Sequence, residues 1–143
     1  NSTEPGYPPF SFIGLENSAG DIGMDHAMIN AEKLIQWDPD YLFVDEAGLS
    51  LVKEDLRRAQ FKGLYAVRNG NVFGLLPYNY YTTNFGTVLA NAYYIGKLVY
   101  PEAFKGVDPE EKADEIYEFL VGNEVYSEME KVFGGFEPIK LTD

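Results

Sequence analysis

The chain has 143 residues, a formal net charge of -12 and a sequence pI of about 4.4, with 45% hydrophobic and 15% aromatic residues. That length and apolar content bound one domain with a real core and exclude a disordered chain. The acidity argues against nucleic acid and anionic membrane surfaces as partners, because both call for basic patches.

No cysteine is present, which excludes disulfides, thiolate metal sites and a cysteine nucleophile. No apolar run approaches the ~20 residues that span a bilayer. The start at Asn1 rather than Met leads to the expectation of a fragment or processed product, with no secretory leader inside it.

Residues 1–9 are rich in turn formers, and a helix is predicted from about Pro9 through Phe10, Phe12, Ile13 and Leu15, stopped by Gly20. Asp21 to Ile29 reads as irregular. Asn30 is placed to cap a helix over Ala31–Trp37, with Leu34, Ile35 and Trp37 inward. Asp38-Pro39-Asp40 ends it, and Tyr41-Leu42-Phe43-Val44 follows as a strand covered on both faces. A helix is expected from about Leu51 to Gln60. Leu64-Tyr65-Ala66-Val67 and Val72-Phe73-Gly74-Leu75-Leu76 flank Arg68-Asn69-Gly70-Asn71, which predicts a β-hairpin turning on Asn-Gly.

Asn84 is placed to cap a long helix through Val88, Leu89, Ala92, Tyr93, Ile95, Gly96 and Val99. Asp108-Pro109-Glu110-Glu111 is a helix start with a cap, a first-turn proline and dipole-complementing acids. That helix runs to Gly122. A last one holds Val125, Met129 and Val132 before Gly134-Gly135. Strands alternating with helices predict one α/β lobe over 1–143: a small, mostly parallel sheet of about three strands with a β-hairpin, flanked by helices.

No nucleophile elbow, phosphate loop or dinucleotide fingerprint occurs in the sequence. Asp21, Asp25 and His26 gather three potential metal ligands, although their spacing matches neither an EF-hand nor a zinc helix, and a polar surface loop with a capping Asp is the reading the sequence favours. Asp45 and Glu46 follow the apolar strand, where open α/β sheets collect ligands; helix capping with solvent exposure is the competing reading.

Between Leu76 and Asn84 stand Tyr78, Tyr80 and Tyr81 with Asn79, Thr82 and Thr83. Phenol rings stack, and phenol and amide groups form hydrogen bonds, so the segment suits a surface that grips something partly flat and partly polar. A packed aromatic loop with Asn84 only capping the helix is the alternative. One of Tyr93 and Tyr94 should face the core, and Trp37 reads as an anchor between helix and sheet.

Taken in order, three motifs resemble a known family. Leu34-Ile35-Gln36-Trp37-Asp38-Pro39-Asp40-Tyr41-Leu42-Phe43-Val44-Asp45 resembles the Pro-Asp-strand signature of ABC-transporter substrate-binding proteins for iron-siderophores, haem and cobalamin. Ala66-Val67-Arg68-Asn69-Gly70-Asn71-Val72-Phe73 is similar to that family's Ala-Val-Lys/Arg-Asn-Gly segment, and Leu89 through Glu102 to its iron(III) branch. The resemblance implies the carboxyl-terminal lobe of a two-lobed, Rossmann-like binding protein, without its amino-terminal lobe.

It further implies cargo contacts from Tyr7, Asp45, Glu46, Tyr78, Tyr80, Tyr81 and Asn84. Many siderophore binders of the family carry Arg where this chain has Tyr80-Tyr81-Thr82, which argues against an anionic catecholate or hydroxamate complex.

The expectation is a solute-binding component of an ABC importer. It would bind iron(III) or an iron chelate as cargo, work outside the cytoplasm, deliver to a permease and perform no bond chemistry. The alternative is a stand-alone interaction module that self-associates as a homodimer through surface exposed without the second lobe. A metal-dependent hydrolase built on Asp25, His26, Asp45 and Glu46 is a third reading.

Overall fold

The computed structural model describes residues 2–141, the Tyr80 side chain excepted. In chain order the elements are β1 (Ser2–Thr3), α1 (Pro8–Phe12), β2 (Ala27–Met28), α2 (Ala31–Trp37), β3 (Leu42–Asp45), α3 (Leu49–Leu56), α4 (Tyr65–Asn69), β4 (Val72–Leu75), β5 (Asn79–Tyr80), β6 (Thr82–Thr83), α5 (Phe85–Val99), α6 (Pro109–Val121) and α7 (Tyr126–Phe133). Small sheets flanked by helices make the class α/β. The chain divides into two compact units. One comprises the described residues up to Tyr7, Glu16–Gly74 and those from Glu137 onward; the other comprises Pro8–Leu15 and Leu75–Phe136.

In the first unit α2 starts as its sequence dictates, with Asn30 Oδ1 accepting from the Lys33 amide at 2.8 Å. It ends on Asp38, in the left-handed region at φ 39°, whose carboxylate then accepts from the Tyr65 amide at 2.7 Å and so caps α4. Leu34 and Ala31 pack on the core, but Ile35 is exposed, against the expectation of an inward face. Trp37 is half-buried, and Lys33 Nζ lies 5.0 Å from the centre of its ring.

The hairpin predicted at Arg68-Asn69-Gly70-Asn71 is not formed. Residues 65–69 are helical, and Gly70 at φ 69° ends the helix: its amide meets Val67 O at 3.4 Å and the Asn71 amide meets Ala66 O at 2.8 Å. This is the paired closure of a Schellman motif. Asn-Gly supplied the positive φ that a hairpin turn needs, and a helix C-terminus took it. Asn71 then donates to Asp40 O at 3.0 Å and accepts from the Leu42 amide at 2.9 Å, leading into the β3–β4 pair.

The third strand-like segment comes from the end of the chain. Pro138 sits antiparallel to Phe73, with Gly74 N donating to Glu137 O at 3.1 Å and Ile139 N to Val72 O at 2.8 Å. The rings of Tyr41, Phe43 and Phe73 stack at centroid distances of 6.1 to 6.3 Å. Val44, Leu56, Phe61, Leu64, Ala66 and Val72 form the core. Burying Phe61 forces the helix expected to reach Gln60 to end at Leu56, after which a 3-10 turn at Ala59–Phe61 carries the ring inward.

In the second unit the predicted helices appear with their predicted caps. Asn84 Oδ1 accepts from Thr87 N at 3.1 Å, and Asp108 Oδ1 accepts from Glu110 N and Glu111 N at 2.9 and 3.2 Å. α5 packs on α6, and α1 on α5. α1 is shorter than expected: it ends at Phe12, and the chain turns at Gly14, φ 67°. Leu76, Ala90, Ala113, Tyr117 and Tyr126 form the core. Gly96 lets the Phe104 ring lie directly on α5, where a Cβ would overlap it. Tyr94 is the core-facing one of its pair and stacks on Phe136 at 4.5 Å, while Tyr93 meets Phe104 edge-on at 6.1 Å.

Candidate functional site

The segment after β4 is built as a small projecting hairpin. β5 and β6 pair antiparallel, Asn79 with Thr83 and Tyr80 with Thr82, which leaves Tyr81 alone at the tip. A one-residue reversal demands positive φ, and Tyr81 adopts it at 64° without the freedom of glycine. Such a conformation costs about 1 to 3 kcal/mol and persists where its surroundings over-determine it.

The surroundings are visible. Asn84 N donates to Tyr78 O at 2.7 Å and closes the base of the hairpin, while its side chain caps α5. Further in, Asn91 Nδ2 donates to Leu76 O at 2.9 Å, and Thr87 and Tyr117 share a buried hydroxyl hydrogen bond of 2.8 Å. Burial raises the Tyr117 phenol above its ordinary pKa, with the Thr87 contact pulling the other way. Hydrogen-bonded buried polar groups fix their surroundings more narrowly than apolar packing does.

The tip is open to solvent. Tyr81 is 97% exposed and Phe85, on the first turn of α5, 72%. Thr82, Thr83 and Asn84 are exposed between them, and Tyr78 is half-buried at the base. The Tyr80 side chain lies outside the described residues. Within this unit the structure therefore brings Tyr78, Tyr81 and Asn84 onto one short segment. It gives Asn84 Oδ1 a capping role, and Phe85 joins as an exposed ring. The sequence signal for Phe85 was its position directly after the cap. Leu89 is 39% exposed one turn further on.

The first unit holds the other predicted residues. Asp45 ends β3 and turns the chain by accepting from Ala47 N at 2.9 Å. The protein around its carboxylate raises its pKa above the ordinary value, and the Ala47 amide opposes this. Glu46 is buried, not solvent-exposed: its carboxylate lies over Gly74 of β4, where any Cβ would overlap Oε1. Tyr7 is buried, and Asn17 steadies the preceding turn by donating to Glu4 O at 2.9 Å and Pro5 O at 3.0 Å.

The Asp21, Asp25 and His26 group does not assemble. Asp21 pairs with Lys33 Nζ at 2.8 Å, which chiefly holds its carboxyl below the usual range, and His26 Nδ1 lies 3.3 Å from Glu4. Among the described residues no group of three or more His, Cys, Asp or Glu is arranged to hold a metal, so neither the loop nor the hydrolase set with Asp45 and Glu46 forms one.

The chain shares the fold of one part of periplasmic solute-binding proteins, on the evidence of its structural neighbours. One is the molybdate periplasmic binding protein MolA of a Haemophilus influenzae ABC transporter, bound to molybdate, with a TM-score of 0.69 and 17% identity over 82% of this chain and 38% of that one. A periplasmic solute-binding protein from Veillonella parvula DSM 2008 gives 0.61 and 15% identity over 87% and 40%. The TroA-like periplasmic binding protein FepB from Veillonella parvula gives 0.57 and 22% identity over 77% and 36%. The chain thus spans about two fifths of the length of each. No protein-family model and no curated protein matches the sequence. Among the described residues no helix is long and apolar enough to cross a membrane.

Proposed function

We propose that the chain is one α/β lobe of the solute-binding component of an ABC importer, working outside the cytoplasm. It would bind iron(III) or an iron complex and hand it to a permease without bond chemistry. The observation that carries the reading is a solvent-exposed Tyr-Thr-Asn hairpin, held from beneath by buried hydrogen bonds, in a chain with the solute-binding fold. Tyr78, Tyr80 and Tyr81 are the proposed cargo-facing side chains, and Asn84 holds the loop in place. Tyr7, Asp45 and Glu46 enter the proposal through the family resemblance alone.

Iron fits the phenols because a ferric ion lowers the pKa of a coordinating tyrosine from about 10, turning it into an anionic ligand. The neighbour MolA holds molybdate, so oxyanion cargo is the competitor to test. Elemental analysis and visible absorbance of the protein as purified should reveal iron and a phenolate charge-transfer band. Calorimetric titration with ferric nitrilotriacetate should then give binding that weakens in Tyr80→Phe and Tyr81→Phe. Binding of molybdate with none of the ferric probe would remove iron as the cargo. Unchanged ferric affinity in both variants would remove the hairpin.

A further inference from the structure

From Asn69 to Gly96 the chain carries no charged residue, although 24% of the whole chain is charged; all 11 basic and 23 acidic side chains lie outside this run. The run contains the whole hairpin and most of α5. From the hairpin onward its exposed part is neutral-polar, aromatic and aliphatic: Asn79, Tyr81, Thr82, Thr83, Asn84, Phe85 and Leu89. Phe85 and Leu89 are four residues apart on α5 and share a face.

An exposed loop of an acidic protein does not become charge-free through a need for solubility, since charge is what keeps such surfaces solvated. Nor does it suit an anion. The faces of Tyr81 and Phe85 carry the negative lobe of the ring quadrupole, and no Lys or Arg stands in the run to neutralise a bound anion. At the N-terminus of α5 the Thr87 amide is already taken by Asn84. A bare metal ion finds no carboxylate in the run, only phenols that must first lose a proton to ligate it, whereas a preformed chelate brings its own donors.

We infer that this surface takes a cargo that is neutral overall and presents a flat apolar or aromatic rim, and that Phe85 is a binding residue that packs on that rim beside Tyr81. The inference rests on the solute-binding reading above and narrows it to neutral chelates. Exposed Thr and Asn groups supply hydrogen bonds to the polar atoms of such a chelate, and the two rings supply its stacking surface.

Three iron(III) chelates separate charge from aromatic character. The tris(benzohydroxamate) is neutral with aromatic rims, the tris(acetohydroxamate) is neutral without them, and a tris-catecholate is aromatic and trianionic. Calorimetry on the full chain should give the benzohydroxamate complex at least tenfold tighter binding than either of the others. Phe85→Ala should abolish the preference over the acetohydroxamate complex, while Phe85→Tyr should keep it; circular dichroism confirms that both variants fold.

Equal or tighter binding of the tris-catecholate, or a preference that survives Phe85→Ala, overturns the inference and leaves the importer reading standing. Binding of ferric nitrilotriacetate with no discrimination among the three chelates does the same. No binding of any ferric probe by the folded chain overturns both.

Discussion

The first unit fills its interior with Val44, Leu56, Phe61, Leu64, Ala66 and Val72, and places several specific hydrogen bonds at its rims: Asp38 on α4, Asn71 on Asp40, Asn30 on Lys33. The second buries Thr87 and Asn91 completely and ties them to Tyr117 and Leu76. Apolar packing specifies a volume, whereas a buried amide on one carbonyl specifies a position. The polar interior lies directly behind the hairpin that carries Tyr81, so the second unit uses its less economical core where a loop must be held in an unusual conformation. Glu46 is the exception in the first unit, tucked over Gly74 at the end of β3.

The largest expected effect tests the apolar side of this contrast. Phe61→Ala removes a ring that is 1% exposed at the centre of the first core, and should cost about 3 to 5 kcal/mol in urea denaturation. A loss below about 1 kcal/mol would mean that the site collapses around the gap and that packing there is not what holds the unit.

Asn91→Leu tests the polar side. The leucine is close in size, so volume is nearly kept, but Leu76 O loses its donor in a buried place, which should cost about 1 to 3 kcal/mol. The sharper reading is local: amide exchange in residues 76–84 should accelerate more than in α6. Uniform acceleration across the unit would reduce Asn91 to a generic core residue.

The same contrast explains what could be read from the sequence. α2, α5, α6 and α7 were legible because each start or stop signal is local: Asn30, Asn84, Asp108 with Pro109, and Gly134 act within one turn of their helices. Asn69-Gly70 was legible as a demand for positive φ and ambiguous as to the element, since a hairpin turn and a Schellman closure ask for the same residue. The segment beside β4 was not legible, because Phe73 and Pro138 are far apart in sequence and pairing leaves no mark in either neighbourhood.

The β5–β6 hairpin escaped for the opposite reason. Its tip is Tyr81, a residue with no preference for the conformation it adopts, on a hairpin closed at its base by Asn84 N on Tyr78 O. Composition pointed to the segment as a binding surface, but the geometry that exposes Tyr81 and Phe85 comes from tertiary support.

Asp45 gives the smallest effect and the one that depends on pH. Although Asp45 is exposed, the protein around its carboxylate partly desolvates it and raises its folded pKa above the ordinary 3.8, so the folded state holds the proton more tightly than the unfolded state does. Below about pH 3.8 both states are protonated and the group contributes no penalty; as pH rises toward and past the folded value, the unfolded state has already released its proton and stability falls. Above both values the penalty is complete and constant.

Asp45→Asn removes the charge and keeps an oxygen for the Ala47 amide, and Asn caps about as well as Asp. The variant should therefore be somewhat more stable than the parent at pH 7 and equal to it near pH 3, measured by urea midpoints across that range. The gain is small because the residue is partly open to solvent, which screens its charge. A variant less stable at pH 7 would show that the carboxylate is held by a favourable charge interaction. The end of β3 would then be an electrostatically committed site like the Asp21–Lys33 pair, and the contrast between an apolar first unit and a polar second one would lose its clearest boundary.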